Sequence, residues 1–313
     1  MLISLFVLLF ITDNIDYVYK SGLASLNYFS YSKLAYLFCL VFLIMGLIGK
    51  LFSIYRDSYK EKAMVLIYIS SAIFVLFSGD FLTLYIFWEI MAIASTMVIW
   101  SSNSDKSLSA GNRYLLMHLL GGLILLLGII GLYIDTNNLQ IRLLNLDTWY
   151  NWMILVGFLL NAGAPPFSQW IPDAYPEGSY SSTVFLSAYT TKTSVFILIV
   201  TFAGSHILML IGIYMIMYGI IYALLENDIR RILSYSIVNQ VGFMIVGIGI
   251  GTELSLNGTA AHAFSHIIYK GLLLMSAGSV IYMINKYKCT DVGGLYKTMP
   301  LTAICGIIGA LAI

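Results

Sequence analysis

Apolar residues run along this chain in long blocks separated by short polar breaks, without the alternation or one-faced periodicity of a soluble domain. The blocks fall at 1–12, 33–55, 63–79, 82–100, 114–134, 149–164, 182–203, 207–225, 232–251, 259–284 and 299–313. A helix needs about 20 residues to cross the hydrocarbon core of a bilayer, and most of the blocks approach that length. The pattern predicts an all-α, polytopic membrane helix bundle of about 11 spans, a single integral membrane domain over 1–313. The first block is too short to cross alone. It lacks the basic stretch and clear small-residue cleavage site of a signal peptide. The last block stops in mid-run at Ala310-Leu311-Ala312-Ile313 with no cap or charge, so the sequence reads as cut at both ends.

Composition excludes several function classes. The chain is 60% hydrophobic and 10% charged, with a mean hydropathy of +0.89, whereas soluble domains run near 45–50% apolar and about 25% charged. A net charge of +1 offers no basic stripe for nucleic acid. The three cysteines, Cys39, Cys289 and Cys305, form no CxxC pair, so neither a disulfide framework nor an iron–sulfur or zinc site is indicated. No Gly-rich strand–helix phosphate motif is present, so no NADH, flavin or other cofactor is expected.

Basic residues are distributed unevenly over the breaks. Alternate loops carry Arg56, Lys60 and Lys62; Lys106 and Arg113; none; Arg230 and Arg231; and Lys286, Lys288 and Lys297. The opposite set carries only Lys20 and Arg142. The positive-inside rule places the rich set, and the N-terminus, in the cytoplasm. The blank member of that set, 165–181, holds four of the five prolines, Pro165, Pro166, Pro172 and Pro176. Proline ends or breaks a helix, and two readings follow. Either a broken helix packs on protein or lines a wet cavity at membrane depth, or an ordinary helix end leads into an amphipathic surface loop.

The candidate chemistry lies in ionisable groups inside apolar blocks. Each costs roughly 2.5–3.5 kcal/mol at a helix centre on insertion scales. Glu89 and Lys192 are mid-span. His262, His266 and Lys270 share one helix at i, i+4 and i+8 and drift by only about 80° around it. His118 lies beside Gly121 and Gly122, where a satisfied core histidine is the commoner case. Asp80 and Asp228 sit at span boundaries as caps, and His206 at a helix start. Two histidines at helical spacing with no carboxylate nearby do not make a metal site, so none is expected. A carboxylate, lysines and histidines strung over several helices are the parts of a proton relay, because burial and neighbours bring such groups toward neutrality near physiological pH.

Several motifs together resemble the antiporter-like subunit family shared by Mrp-type cation/proton antiporters and proton-pumping NADH–quinone oxidoreductases. They are Phe87-Trp88-Glu89-Ile90-Met91, Trp170-Ile171-Pro172-Asp173-Ala174, Thr191-Lys192-Thr193, the run Asp228-Ile229-Arg230-Arg231-Ile232-Leu233-Ser234-Tyr235-Ser236, Val241-Gly242-Phe243-Met244, and His262-Ala263-Phe264-Ser265-His266 with Tyr269-Lys270-Gly271-Leu272-Leu273. The resemblance implies a 14-helix fold with two inverted five-helix repeats and a broken helix in each. The blocks here would correspond to helices two to twelve, with a first repeat over about 63–203 and the start of a second over about 207–313. It implies a fifth-helix glutamate at Glu89 that normally pairs with a lysine on the broken helix. It also implies a central lysine at Lys192 and an eleventh-helix relay at His262, His266 and Lys270.

Three departures qualify the likeness. Asn161 stands where the broken-helix lysine is expected, nine residues before Trp170, so Glu89 lacks its usual partner and Lys192 is left to take that place. The twelfth helix stops before its break, and the first and last two helices are missing, as in a split or truncated gene. The expected function is translocation of protons and a cation such as Na+ by an Mrp-type antiporter subunit, with other integral membrane subunits and the lipid bilayer as partners. A membrane-arm subunit of NADH–quinone oxidoreductase, an inactive scaffold, and an unrelated solute carrier are the alternatives. Localisation in a bacterial inner membrane is expected first, a mitochondrial inner membrane second.

Overall fold

The computed structural model describes residues 17–21, 24–55 and 57–313. Block 1–12 and Arg56 lie outside them. A hairpin not anticipated in the sequence, β1 (Tyr17–Ser21) and β2 (Ala24–Phe29), precedes the bundle. It is tied down where Ser30 N–H donates to Phe77 O at 2.8 Å and Gly79 N–H to Asn27 O at 3.0 Å. The helices that follow are α1 (Lys33–Ser53), α2 (Tyr59–Phe77), α3 (Phe81–Trp100), α4 (Asp105–Thr136), α5 (Trp149–Ala162), α6 (Trp170–Ala174), α7 (Ser182–Ala188), α8 (Thr190–Phe202), α9 (His206–Leu225), α10 (Ile229–Ile250), α11 (Glu253–Ile284), α12 (Leu295–Thr298) and α13 (Pro300–Leu311). Among the described residues seven spans are long and apolar enough to cross a membrane, with α7 and α8 counted as one. The other described blocks correspond to α2, α5 and α13, of 19, 14 and 12 residues.

Helix starts are set by caps rather than by hydropathy. Ser58, Ser104 and Thr252 each accept from a backbone N–H three residues on, so α2, α4 and α11 begin in polar turns ahead of the apolar blocks. Asp80 and Asp228 are N-caps, as expected: Asp80 Oδ1 takes Thr83 N–H at 2.7 Å, and Asp228 Oδ1 takes Arg230 and Arg231 N–H at 2.9 and 3.1 Å. α9 packs on α10 through glycines, Gly212 against the backbone of Gly242 and Gly219 against Asn239, the close approach that small residues permit between membrane helices.

The loops sort to two ends. Gly79, Leu139, Thr201, Gly204 and Ile248 hydrogen-bond across one end. At the other, Ser102 Oγ donates to Glu177 O, Arg113 pairs with Asp173, Arg230 Nη1 donates to Gly178 O, and Ile229 N–H donates to Tyr287 O. The second end carries the basic loops.

Two breaks position the interior. α5 ends at Gly163 in the left-handed region (φ +80°), where a Cβ would strike Ile171. The chain turns through Pro165 and Pro166, joined by a cis bond, and resumes as α6. Trp170, Ile171, Pro172, Ala174, Tyr175 and Pro176 are buried, so this is an interrupted helix packed on protein and not an amphipathic surface loop. The block 182–203, expected to be one continuous span, is also interrupted, at Tyr189 (φ −105°, ψ −67°). No proline or glycine causes it. Thr193 and Ser194 hydroxyls bond back to Tyr189 O and Thr190 O, the competition with helix bonding that bends Ser/Thr-rich turns. This span is also the most enclosed, 94% of its apolar window being buried against 22% for α9.

Candidate functional site

Lys192 lies one turn past the Tyr189 break, fully buried. Its Nζ donates to Ser187 O at 2.8 Å and to Thr191 Oγ1 at 3.0 Å, so a backbone carbonyl in the interrupted turn receives the ammonium. The groups near enough to act on it by charge are Lys270, His262 and His266, all on α11. When charged they repel one another, strongly at low local dielectric. Glu89 is not among these groups.

On the α11 side, His266 and Lys270 are fully buried and His262 is partly exposed. The His262 and His266 rings lie 6.2 Å apart, with Tyr269 5.2 Å beyond. Lys270 Nζ donates to Ser236 Oγ at 2.8 Å. Tyr269 hydroxyl donates to Gln240 Oε1 at 3.2 Å, and Gln240 Nε2 to Asn239 Oδ1 at 3.2 Å. Among the described residues neither ring nitrogen of His266 has a hydrogen-bond partner.

On the other side, Glu89 of α3 presses its carboxylate against the backbone of Gly122 on α4, where a Cβ would collide with Oε1. His118 lies one turn back on α4, about 6 Å along the axis. It is 2% exposed, hydrogen-bonded to Asn161, and enclosed by Tyr114 at 4.1 Å and Trp170 at 4.7 Å between ring centroids. Asn161 at the end of α5 thus partners His118, and its Nδ2 remains unpaired, as do Glu89 Oε1 and His118 Nε2.

A hydroxyl cluster lies between the two sides. Tyr114 hydroxyl meets Ser95 Oγ at 2.9 Å and Thr190 Oγ1 at 3.5 Å, and Thr190 Oγ1 meets Tyr68 hydroxyl at 2.6 Å. Four helices meet there, and Thr190 is two residues from Lys192. Tyr68, Ser95, Tyr114, Thr190 and Ser236 escaped the sequence reading because aromatic and hydroxyl residues inside apolar blocks are common. Only the helix packing tells these apart. Among the described residues no three His, Cys, Asp or Glu side chains gather as metal ligands.

The fold and interior define a polytopic membrane helix bundle with interrupted helices and buried ionisable side chains. The family model described as NADH:quinone oxidoreductase/Mrp antiporter, TM, matches residues 78–313, and the chain belongs to that family. An NADH-quinone oxidoreductase subunit of Campylobacter jejuni is 30% identical over 274 residues, 81% of this chain and 45% of that protein. A Na(+)/H(+) antiporter subunit of Alkalihalophilus pseudofirmus is 27% identical over 259 residues, 75% of this chain and 52% of its own. The chain spans about half the length of these curated relatives. A chain of the Mrp complex from Dietzia sp. DQ12-45-1b superposes with a TM-score of 0.90 at 22% identity, over 99% of this chain and 63% of that one. At that identity the match shows the fold, which is the all-α antiporter-like bundle read from the motifs.

Proposed function

We propose that the chain is a proton- and cation-translocating membrane subunit of an Mrp-type antiporter, sited in a bacterial plasma membrane alongside other membrane subunits. Protons pass between Glu89 and His118, through the Tyr114–Thr190–Tyr68 hydroxyls and water to Lys192, and on through His262, His266 and Lys270. Repeats over about 63–203 and from about 207 would each supply one half of this path. The observation that carries the reading is Lys192, a fully buried ammonium set between hydroxyls on one side and two histidines and a lysine on the other. A buried charge without a paired anion is expensive, and its retention fits a group that gains and loses a proton.

His118 with Asn161 takes the place of the missing lysine in this reading. An imidazole can take and give a proton, and Asn161 is hydrogen-bonded to the ring. A second reading, a membrane-arm subunit of an NADH–quinone oxidoreductase, draws support from the 30% identity to the Campylobacter protein. Both use the same path. The test is Glu89→Gln in native membranes: ion-driven proton movement is lost while the assembled complex persists. Unchanged movement removes Glu89 from the path.

A further inference from the structure

Two buried carboxylates stand apart from this path, at the basic-loop end. Asp57, in the α1–α2 loop, is 9% exposed, and Glu61, in the first turn of α2, is 5% exposed. Among the described residues neither has a cation within ion-pair distance. Lys50 Nζ donates to Lys62 O at 2.6 Å and Lys62 Nζ to Ile54 O at 2.8 Å. The carboxylates are joined through two serines of the α6–α7 connection. Ser181 hydroxyl bonds Asp57 Oδ1, Ser179 hydroxyl bonds Glu61 Oε1 at 2.5 Å, and the two serine oxygens lie 3.1 Å apart.

The number of protons along this row sets its state. A serine hydroxyl has one proton to give. If both carboxylates are ionised, Ser181 gives its proton to Asp57 and Ser179 gives its own to Glu61. The contact between the two serines is then lone pair against lone pair. One further proton on either carboxyl turns all three contacts into hydrogen bonds running in one direction. Asp57 Oδ2 is buried and has no partner among the described residues, and Asp57 lines a cavity of about 480 Å³ together with Ser53, Glu61, Ser179, Ser181 and Tyr282.

We propose that Asp57 and Glu61 hold one proton between them through Ser181 and Ser179, and act as a proton station at this end of the bundle that releases this proton to the basic-loop side before it takes one from Lys192. The second half rests on the relay reading above. Transfer from Asp57 to Glu61 moves one proton: Asp57 gives to Ser181, Ser181 to Ser179 and Ser179 to Glu61. Both serines end neutral, Asp57 ionised and Glu61 neutral. Ser181 leads directly into α7, about 10 Å long at 1.5 Å per residue, whose Ser187 carbonyl holds Lys192. The charged and polar groups facing the pair are Lys50 of α1, Lys62 of α2, Ser101 beyond α3, and Tyr180 and Tyr282 across the cavity. The lysines favour ionised carboxylates. For Asp57 burial outweighs them and pushes the carboxyl above its usual range.

Infrared difference spectra of the full chain in membranes test this. Wild type minus Asp57→Asn, and wild type minus Glu61→Gln, each show loss of a protonated-carboxyl C=O stretch, because either change removes the one shared proton. The introduced amide donates in place of the acid, which preserves the hydrogen-bonded row. Asp173→Asn, at an exposed ion pair, shows loss of an ionised carboxylate only and serves as the control. The same ionised-carboxylate difference for Asp57 and Glu61 overturns the shared proton, and either variant alone suffices if the other fails to fold. Proton uptake lost in Asp57→Asn supports the station, and an unchanged rate overturns it. A wild-type chain with the band but no proton movement sinks the proposed function and leaves the shared proton standing. Proton movement without the band sinks only this inference.

Discussion

Lys192 keeps its Nζ fully buried, and the backbone is what makes this tolerable. The interrupted turn at Tyr189 presents Ser187 O, and Thr191 supplies a hydroxyl, but among the described residues no anion is in contact. The same reasoning applies to Lys270, whose partner is Ser236 Oγ. Lys270→Met removes a buried charge and is expected to leave the thermal unfolding midpoint unchanged or raised, since apolar replacement of buried ionic groups is often neutral or stabilising. It also stops proton movement, and a variant that translocates normally takes Lys270 out of the path. Asn161→Ala strips His118 of its side-chain partner and is expected to cost about 1–3 kcal/mol, read as a lowered unfolding midpoint. Glu89, Lys192, His262, His266 and Lys270 were legible in the sequence because charge inside an apolar block is rare. The His118–Asn161 pair was not, because its members are 43 positions apart in the chain and only the end of α5 against α4 brings them together.

Among the elements, the two interruptions differ in how they are encoded. The one after α5 is written in Gly163, Pro165 and Pro166, residues whose backbone limits are visible from sequence. Whether that segment lay on the surface or inside depended on the packing of Trp170 against Tyr114, His118 and Tyr175. Gly163→Ala forces a side chain into the left-handed region and against Ile171, and a loss of at least about 1 kcal/mol is expected, measured by thermal unfolding. Arg113→Ala, which opens the exposed pair with Asp173, is expected to cost less than about 1 kcal/mol in the same assay. Equal losses for the two would mean that α6 is held by its surface pair rather than by the turn. The break at Tyr189 was illegible because Thr190, Thr191, Thr193 and Ser194 are also ordinary residues of continuous membrane helices. The three early helix starts were missed because the polar first turns of α2, α4 and α11 belong to the helix by capping while hydropathy assigns them to loops.

At the scale of the molecule, the loops with most lysines and arginines gather at one end and the interrupted segments converge on one enclosed span. α9, by contrast, buries only Leu208, Gly212, Met215 and Gly219 and presents its remaining apolar faces to lipid or to a neighbouring subunit. Mass spectrometry of the complex purified in mild detergent separates the two assemblies proposed. Small hydrophobic antiporter subunits are expected alongside the chain. Flavin- and iron–sulfur-bearing subunits would assign it to a respiratory enzyme instead. The most direct test of the central claim is ion-gradient-driven proton movement in sealed native membrane vesicles carrying Lys192→Met. The account expects that movement to be abolished while the amount and thermal stability of the assembled chain match wild type. Wild-type proton movement in that variant would contradict it.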